Sequence, residues 1–139
     1  MKILSSIVLF FTLTAFSFSQ DLADLQGYWE RVEGNFVGMK MDIHSNASET
    51  VGVLLTDSED NYFSEGDVKW KGLVKTADGE FVVQSLYIEL GIYNEPIARS
   101  YIEKVIWFIS PDMICVISKD YDSANSSGHI QYWVRQNSI

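Results

Sequence analysis

Side chains that switch sides at every residue limit what this chain can fold into more tightly than any other feature. Between Asp67 and Lys75, Val68, Trp70, Gly72 and Val74 fall on one side and Lys69, Lys71 and Lys75 on the other, with Leu73 alone off the pattern. A helix would scatter those lysines around its girth, whereas a strand lines them along one solvent face. Ala77-Asp78-Gly79 then signals a turn, and Phe81 to Leu90 runs back as a second strand, giving a hairpin.

The same period recurs along the chain. Gly27 to Val32 is a short first strand. Phe36 to His44 sets Met39, Met41 and Ile43 against Lys40, Asp42 and His44. Val51 to Thr56 is short and mostly apolar. Tyr101 to Ile109 puts Tyr101, Val105, Trp107 and Ile109 on one face. Ser110-Pro111-Asp112 turns the chain into Met113 to Lys119, and after a polar loop, Asp120 to Gly128, the last strand runs from His129 to Gln136. Only Asp21 to Leu25 has the makings of a helical turn. Short strands separated by turn chemistry point to an all-β fold, an antiparallel barrel or a sandwich. Phe81 to Leu90 and Tyr101 to Ile109 are apolar on both faces, which a sheet with one wet face does not require. That favours a small closed barrel whose outside is partly covered.

The N-terminus adds an address. Lys2 precedes an apolar run from Ile3 to Phe18, broken only by Ser and Thr, and Ser17 and Ser19 stand at the −3 and −1 positions before Gln20. This pattern predicts a signal peptide over 1–19, cleaved near Ser19/Gln20, and a secreted or periplasmic product with no stable membrane insertion after cleavage. Residues 20–139 then form a single domain. The formal charge is −9, or −10 once Lys2 is removed. Such an acidic product repels nucleic acid and anionic membranes, which argues against both as partners. Cys115 is the only cysteine, so no internal disulfide is possible and the fold rests on burial and hydrogen bonds.

Gly27-Tyr28-Trp29 opens the first strand and Trp133-Val134-Arg135 closes the last. This pairing resembles the lipocalin-like, calycin-type pattern, in which a Gly-x-Trp on the first strand packs against an Arg from the end of the barrel. The resemblance implies an antiparallel up-and-down barrel of about eight strands. In it Gly27, Trp29 and Arg135 form a structural closure, with the indole as the plug and the guanidinium over its face, a contact worth ~0.5–2 kcal/mol. Arg31 to Gly38 is too short and too Gly-rich for the helical pair of the cytosolic fatty-acid-binding relatives. The chain is closer to the compact secreted lipocalin-like domains of bacteria.

Little in the sequence carries reaction chemistry. His44 and His129 are the only histidines, and no His-x-His, His-Glu-x-x-His or Cys-x-x-Cys exists, so no metal is expected. The oxygen-rich stretches Asp57 to Asn61 and Asp120 to Asn125 lack the Gly and the distant Glu of a calcium loop and read as solvated loops. No Gly-x-Ser-x-Gly elbow appears. Glu89 and Glu103 sit among apolar strand residues, and an inward-facing one would suit an acid–base enzyme of the isomerase or cyclase type. Asn46 and Asn125 fit the glycosylation pattern of a eukaryotic secretory route.

Met and aromatic residues supply the best functional clue. Met39, Met41, Trp70, Tyr87, Trp107 and Trp133 are candidates to line a pliable apolar cavity, or else to fill an ordinary core. The expected function is binding of a small hydrophobic ligand, without a cofactor. The alternative is an extracellular domain with a filled core that contacts protein or glycan.

Overall fold

In a computed structural model, residues 20–33, 35–118 and 130–137 are described; the expected leader, Lys119, the polar loop with Asn125, and His129 lie outside them. The elements run α1 (Leu22–Leu25), β1 (Gly27–Glu33), β2 (Lys40–Ser45), β3 (Thr50–Leu54), β4 (Val68–Ala77), β5 (Glu80–Leu90), β6 (Pro96–Ser110), β7 (Met113–Ser118) and β8 (Ile130–Gln136). Each strand pairs antiparallel with the next, and β8 returns to β1, so the sheet closes into an eight-strand up-and-down barrel. Pairing of the last strand with the first decides between the barrel and the sandwich that the alternation alone allowed.

Of three irregularities in β4, the first two overturn the simple alternation. The β3–β4 register steps from Gly52 opposite Trp70 to Val53 opposite Val68, which leaves Lys69 as an extra residue. A bulge turns two consecutive side chains the same way, and here Lys69 and Trp70 are both buried. Lys69 therefore does not share a solvent face with Lys71 and Lys75, as strict period two predicts. Further on, Lys71 pairs with Gln84 and Val74 with Val82, so Gly72 and Leu73 together oppose one residue. Gly72 takes a φ of +60°, a conformation open to glycine. Past this bulge the faces exchange: Leu73 is buried and Val74 is 52% exposed.

Two boundaries also differ from expectation. β2 begins at Lys40 rather than Phe36, because residues 35–38 form a turn in which Phe36 has a φ of 62°. β6 begins at Pro96, before Tyr101, and its inward row is Lys104, Ile106 and Phe108. The row Tyr101, Val105, Trp107 and Ile109 faces outward. There the Lys71 ammonium lies 3.9 Å from the Tyr101 ring centroid and the Trp107 indole donates to Glu80 at 3.0 Å, while Ile109 stays exposed. Both faces of β6 are apolar because one fills the barrel and the other is partly covered by long polar side chains lying along it.

The core fills the half of the barrel nearer α1. Trp29, Met41, Trp70, Phe81, Ile106 and Trp133 are all fully buried. Trp70 and Trp133 meet edge to face, with centroids 5.4 Å apart. A Cβ on Gly52 would stand 2.6 Å from the Met41 sulfur, so this glycine makes the room that Met41 occupies. The Cys115 thiol is free and buried, and burial pushes its pKa upward, the environment of an inert core thiol.

Candidate functional site

The two ends of the barrel differ in chemistry. At the α1 end, Trp29 and Arg135 are direct partners across β1 and β8. The guanidinium carbon lies 4.4 Å from the Trp29 ring centroid. Its nitrogens donate to the carbonyls of Gln26 at 2.7 Å, Asp24, and Pro111 at 3.2 Å. The indole donates to the Leu25 carbonyl at 2.8 Å, and Phe108 packs edge to face on the ring at 6.3 Å. One cation thus gathers α1 and the β6–β7 turn over a single tryptophan. Gly27 completes the arrangement. Its φ is +123°, and a Cβ there would approach an Arg135 nitrogen to 3.1 Å. Gly27→Ala should lower stability by about 1–3 kcal/mol, from backbone strain plus displacement of Arg135; urea unfolding followed by circular dichroism measures it.

The opposite end is open. A cavity of about 660 Å³ lies there, bounded by aromatic and aliphatic groups that include Phe36, Tyr62, Phe63, Leu86, Ile88 and Ile102. Its polar lining is dominated by cations from three strands: Arg31 on β1, Lys69 on β4 and Lys104 on β6, with Gln131 of β8 beside them. Arg31 is 3% exposed, Lys69 4% and Lys104 9%. The Lys69 ammonium donates to the Leu86 carbonyl at 2.6 Å and stands 4.1 Å from the Phe63 ring centroid. Arg31 lies 5.7 Å from the Phe36 ring and donates only a long bond, 3.4 Å, to the Glu33 carbonyl. Among the described residues none of the three has an ion pair, and Lys104 has no hydrogen-bond partner.

Burial without counter-ions disfavours the charged forms. Arg31 is lowered to about 10 by desolvation. Lys104 is lowered to about 8 by desolvation, with the Arg31 charge adding to it. Lys69 falls well below the usual lysine value through desolvation, then repulsion from Lys104 and Arg31, with Asp67 acting weakly the other way.

The rim is tied together by polar contacts. Arg99 pairs with Asp67 at 3.2 Å and donates to the Tyr62 carbonyl at 3.0 Å, and the Tyr62 hydroxyl donates to the Asn94 carbonyl at 2.7 Å. These link the β3–β4 loop to the β5–β6 hairpin. Phe36, packed edge to face on Phe63 at 5.2 Å, reaches the wall by adopting the left-handed conformation. For a bulky residue that costs of order 1–3 kcal/mol.

The six ligand-cavity candidates separate. Tyr87 lines the open cavity from its rim, 47% exposed. Met41, Trp70 and Trp133 belong to the packed core below it. Met39 lines a second cleft of about 480 Å³, between residues 36–39 and 56–60. Trp107 stands on the outer face, 40% exposed. Glu89 is exposed at the cavity rim, and Glu103, opposite Gln84, is half-buried. The three cations were missed by the sequence reading, yet two left a trace. Arg31 stands two residues from Trp29 on the same face, and Lys104 interrupts an apolar row of β6 at even positions. Lys69 left none, since only a bulge turns it inward.

Among the described residues, no three His, Cys, Asp or Glu side chains converge as a metal site, and no helix is long and apolar enough to cross a membrane. Comparison with protein-family models, curated proteins and solved structures finds no match to this chain.

Proposed function

We propose that this protein is a lipocalin-like binding barrel that holds one small ligand with an apolar body in the cavity opposite Trp29. The observation that carries the reading is the cavity itself: about 660 Å³, walled by aromatic and aliphatic side chains, with a few polar groups converging at one place. Binding sites for small molecules have this size and make-up. The Gly27, Trp29 and Arg135 closure supports the family reading, because it is the two-ended arrangement that the lipocalin-like pattern implies. The leader-like N-terminus supports secretion or export to a periplasm, where such a carrier would meet its ligand.

Two other readings are weaker. An open end weighs against a solid-cored interaction domain. The buried titratable side chains at the cavity are cations, which weighs against acid–base catalysis by Glu89 or Glu103. Protein purified from its own host and analysed by native mass spectrometry should carry an additional lipid-sized mass. A bare barrel, together with no thermal shift from a panel of hydrophobic small molecules, would refute the reading.

A further inference from the structure

Three buried cations around one cavity call for an account. The chain carries 19 Asp and Glu against 10 Lys and Arg, so basic groups are scarce, yet three of them meet inside the barrel. Buried charges are ordinarily paired, and an unpaired one left in an apolar setting is strongly unfavourable. Here each raises the cost of the others, since Arg31 and Lys104 both repel Lys69. Among the described residues, neither the acid that acts on Lys69 nor the one at the cavity rim relieves this. Asp67 is engaged by Arg99, and Glu89 stands exposed at the rim. Among the described residues, the remaining titratable groups at the site are Tyr62 and Tyr87. Phe36 meanwhile sits in a strained conformation with Arg31 beside its ring.

We propose that the ligand is an acid: an amphiphile whose anionic head group sits between Arg31, Lys69 and Lys104 while its apolar body lies along Phe36, Phe63 and Ile88. This deepens the binding-barrel reading and rests on it. An anion at that point supplies the missing counter-charge to all three cations at once, through charge-assisted hydrogen bonds in a site of low polarity. Apolar walls alone would accept any hydrophobic molecule; the cations select for charge. Binding is also linked to protons. Desolvation and mutual repulsion make protons on Lys69 and Lys104 easier to lose, Lys104 titrating at about 8. An anion favours their charged forms, so the protein takes up protons as it binds.

Isothermal titration of the full chain with dodecanoate, and with dodecanol as its uncharged counterpart, tests this. Dodecanoate should bind at least about tenfold more tightly than dodecanol at pH 7. Its affinity should fall about tenfold between pH 7 and pH 9, while that of dodecanol holds. At pH 8 the observed heat should differ between buffers of different ionisation enthalpy, reporting proton uptake. A Lys69→Met, Lys104→Met double variant should lose the preference for the acid and keep dodecanol binding. Lys104→Gln alone, read in the same way, covers the case in which the double variant does not fold. Equal affinity for acid and alcohol in the wild type would overturn the proposal and leave the binding barrel standing. Inorganic phosphate binding as tightly as dodecanoate would overturn it too, since the apolar body would then contribute nothing. No binding of either probe would remove both readings together.

Discussion

Trp29→Ala should destabilise the barrel by about 3–5 kcal/mol, a large part of the 5–15 kcal/mol that a domain of this size has in total. The indole is fully buried, and no neighbour is free to fill the volume it would leave. Three attachments go with it. The hydrogen bond to the Leu25 carbonyl is lost, the Phe108 ring loses its edge contact, and the Arg135 guanidinium loses the face it lies on. With four residues, α1 has no stability of its own. Its hold on the barrel is Leu25, the bonds to Arg135, and the Lys75–Asp21 ion pair at 2.9 Å. Loss of the indole should therefore release residues 20–26 first, visible as faster proteolysis there before global unfolding. Urea unfolding followed by far-ultraviolet circular dichroism gives the global number. Arg135→Ala should cost less in the Trp29→Ala background than in the wild type, by the ~0.5–2 kcal/mol of the stacked pair. A loss below about 1 kcal/mol for Trp29→Ala would mean that the closed end is held by something else.

Lys104→Met should move stability the other way. The wild-type side chain is buried, its ammonium has no partner among the described residues, and its pKa of about 8 lies below the unfolded value of 10.5. Below pH 8 both folded and unfolded chains carry the proton, and the folded state bears the whole cost of burying the charge. Between 8 and 10.5 the unfolded chain keeps a proton that the folded chain has released, so wild-type stability rises with pH across that interval. Methionine removes the charge and keeps the apolar stem. The variant should be more stable than wild type at pH 7, by on the order of 2–3 kcal/mol, with the gap closing towards pH 10. Lys69, also lowered by burial, acts in the same direction. Cys115 and Tyr101, whose pKa values burial raises, act oppositely above about 9 and 10. Taking the difference between wild type and variant at pH 7 and 9 cancels their contribution. Thermal unfolding at the two values reads it, and a gap that does not change with pH would mean that Lys104 is solvated or paired. A variant more stable than wild type yet weaker for dodecanoate would also be the mark of a residue kept for binding rather than for folding.

How much of this was legible in the chain depended on whether period two held. It held across β2 and β8 and through Arg31 of β1, and the hairpin at Asp78-Gly79 was marked by its turn residues. It failed in β4, where each bulge inserts one residue and exchanges inside for outside. The off-pattern Leu73 beside Gly72 was the visible sign of the second bulge, since a glycine within a strand often marks one. Nothing around Lys69 announced the first. β6 was ambiguous for another reason: both its rows are apolar, and the row with more aromatic residues proved to be the outer one. The site suffered most. Met41, Trp70 and Trp133, sought as cavity lining, do the packing, while the cavity is defined by basic residues that a surface-seeking rule sends to solvent.

The seam between β1 and β8 also sets an order of events during synthesis. Arg135 bonds to Gln26, 109 positions away along the chain, so the first strand, paired with β2 on one side, has no partner on its other side until β8 has been made. Until then β1 on one side and β7 on the other present bare backbone to whatever is nearby, including other nascent copies. Pairings that span so much sequence also form slowly. A cell that makes this protein in quantity therefore has to shield the newborn chain until its last strand arrives, and truncations that remove β8 should accumulate as aggregates rather than as smaller barrels.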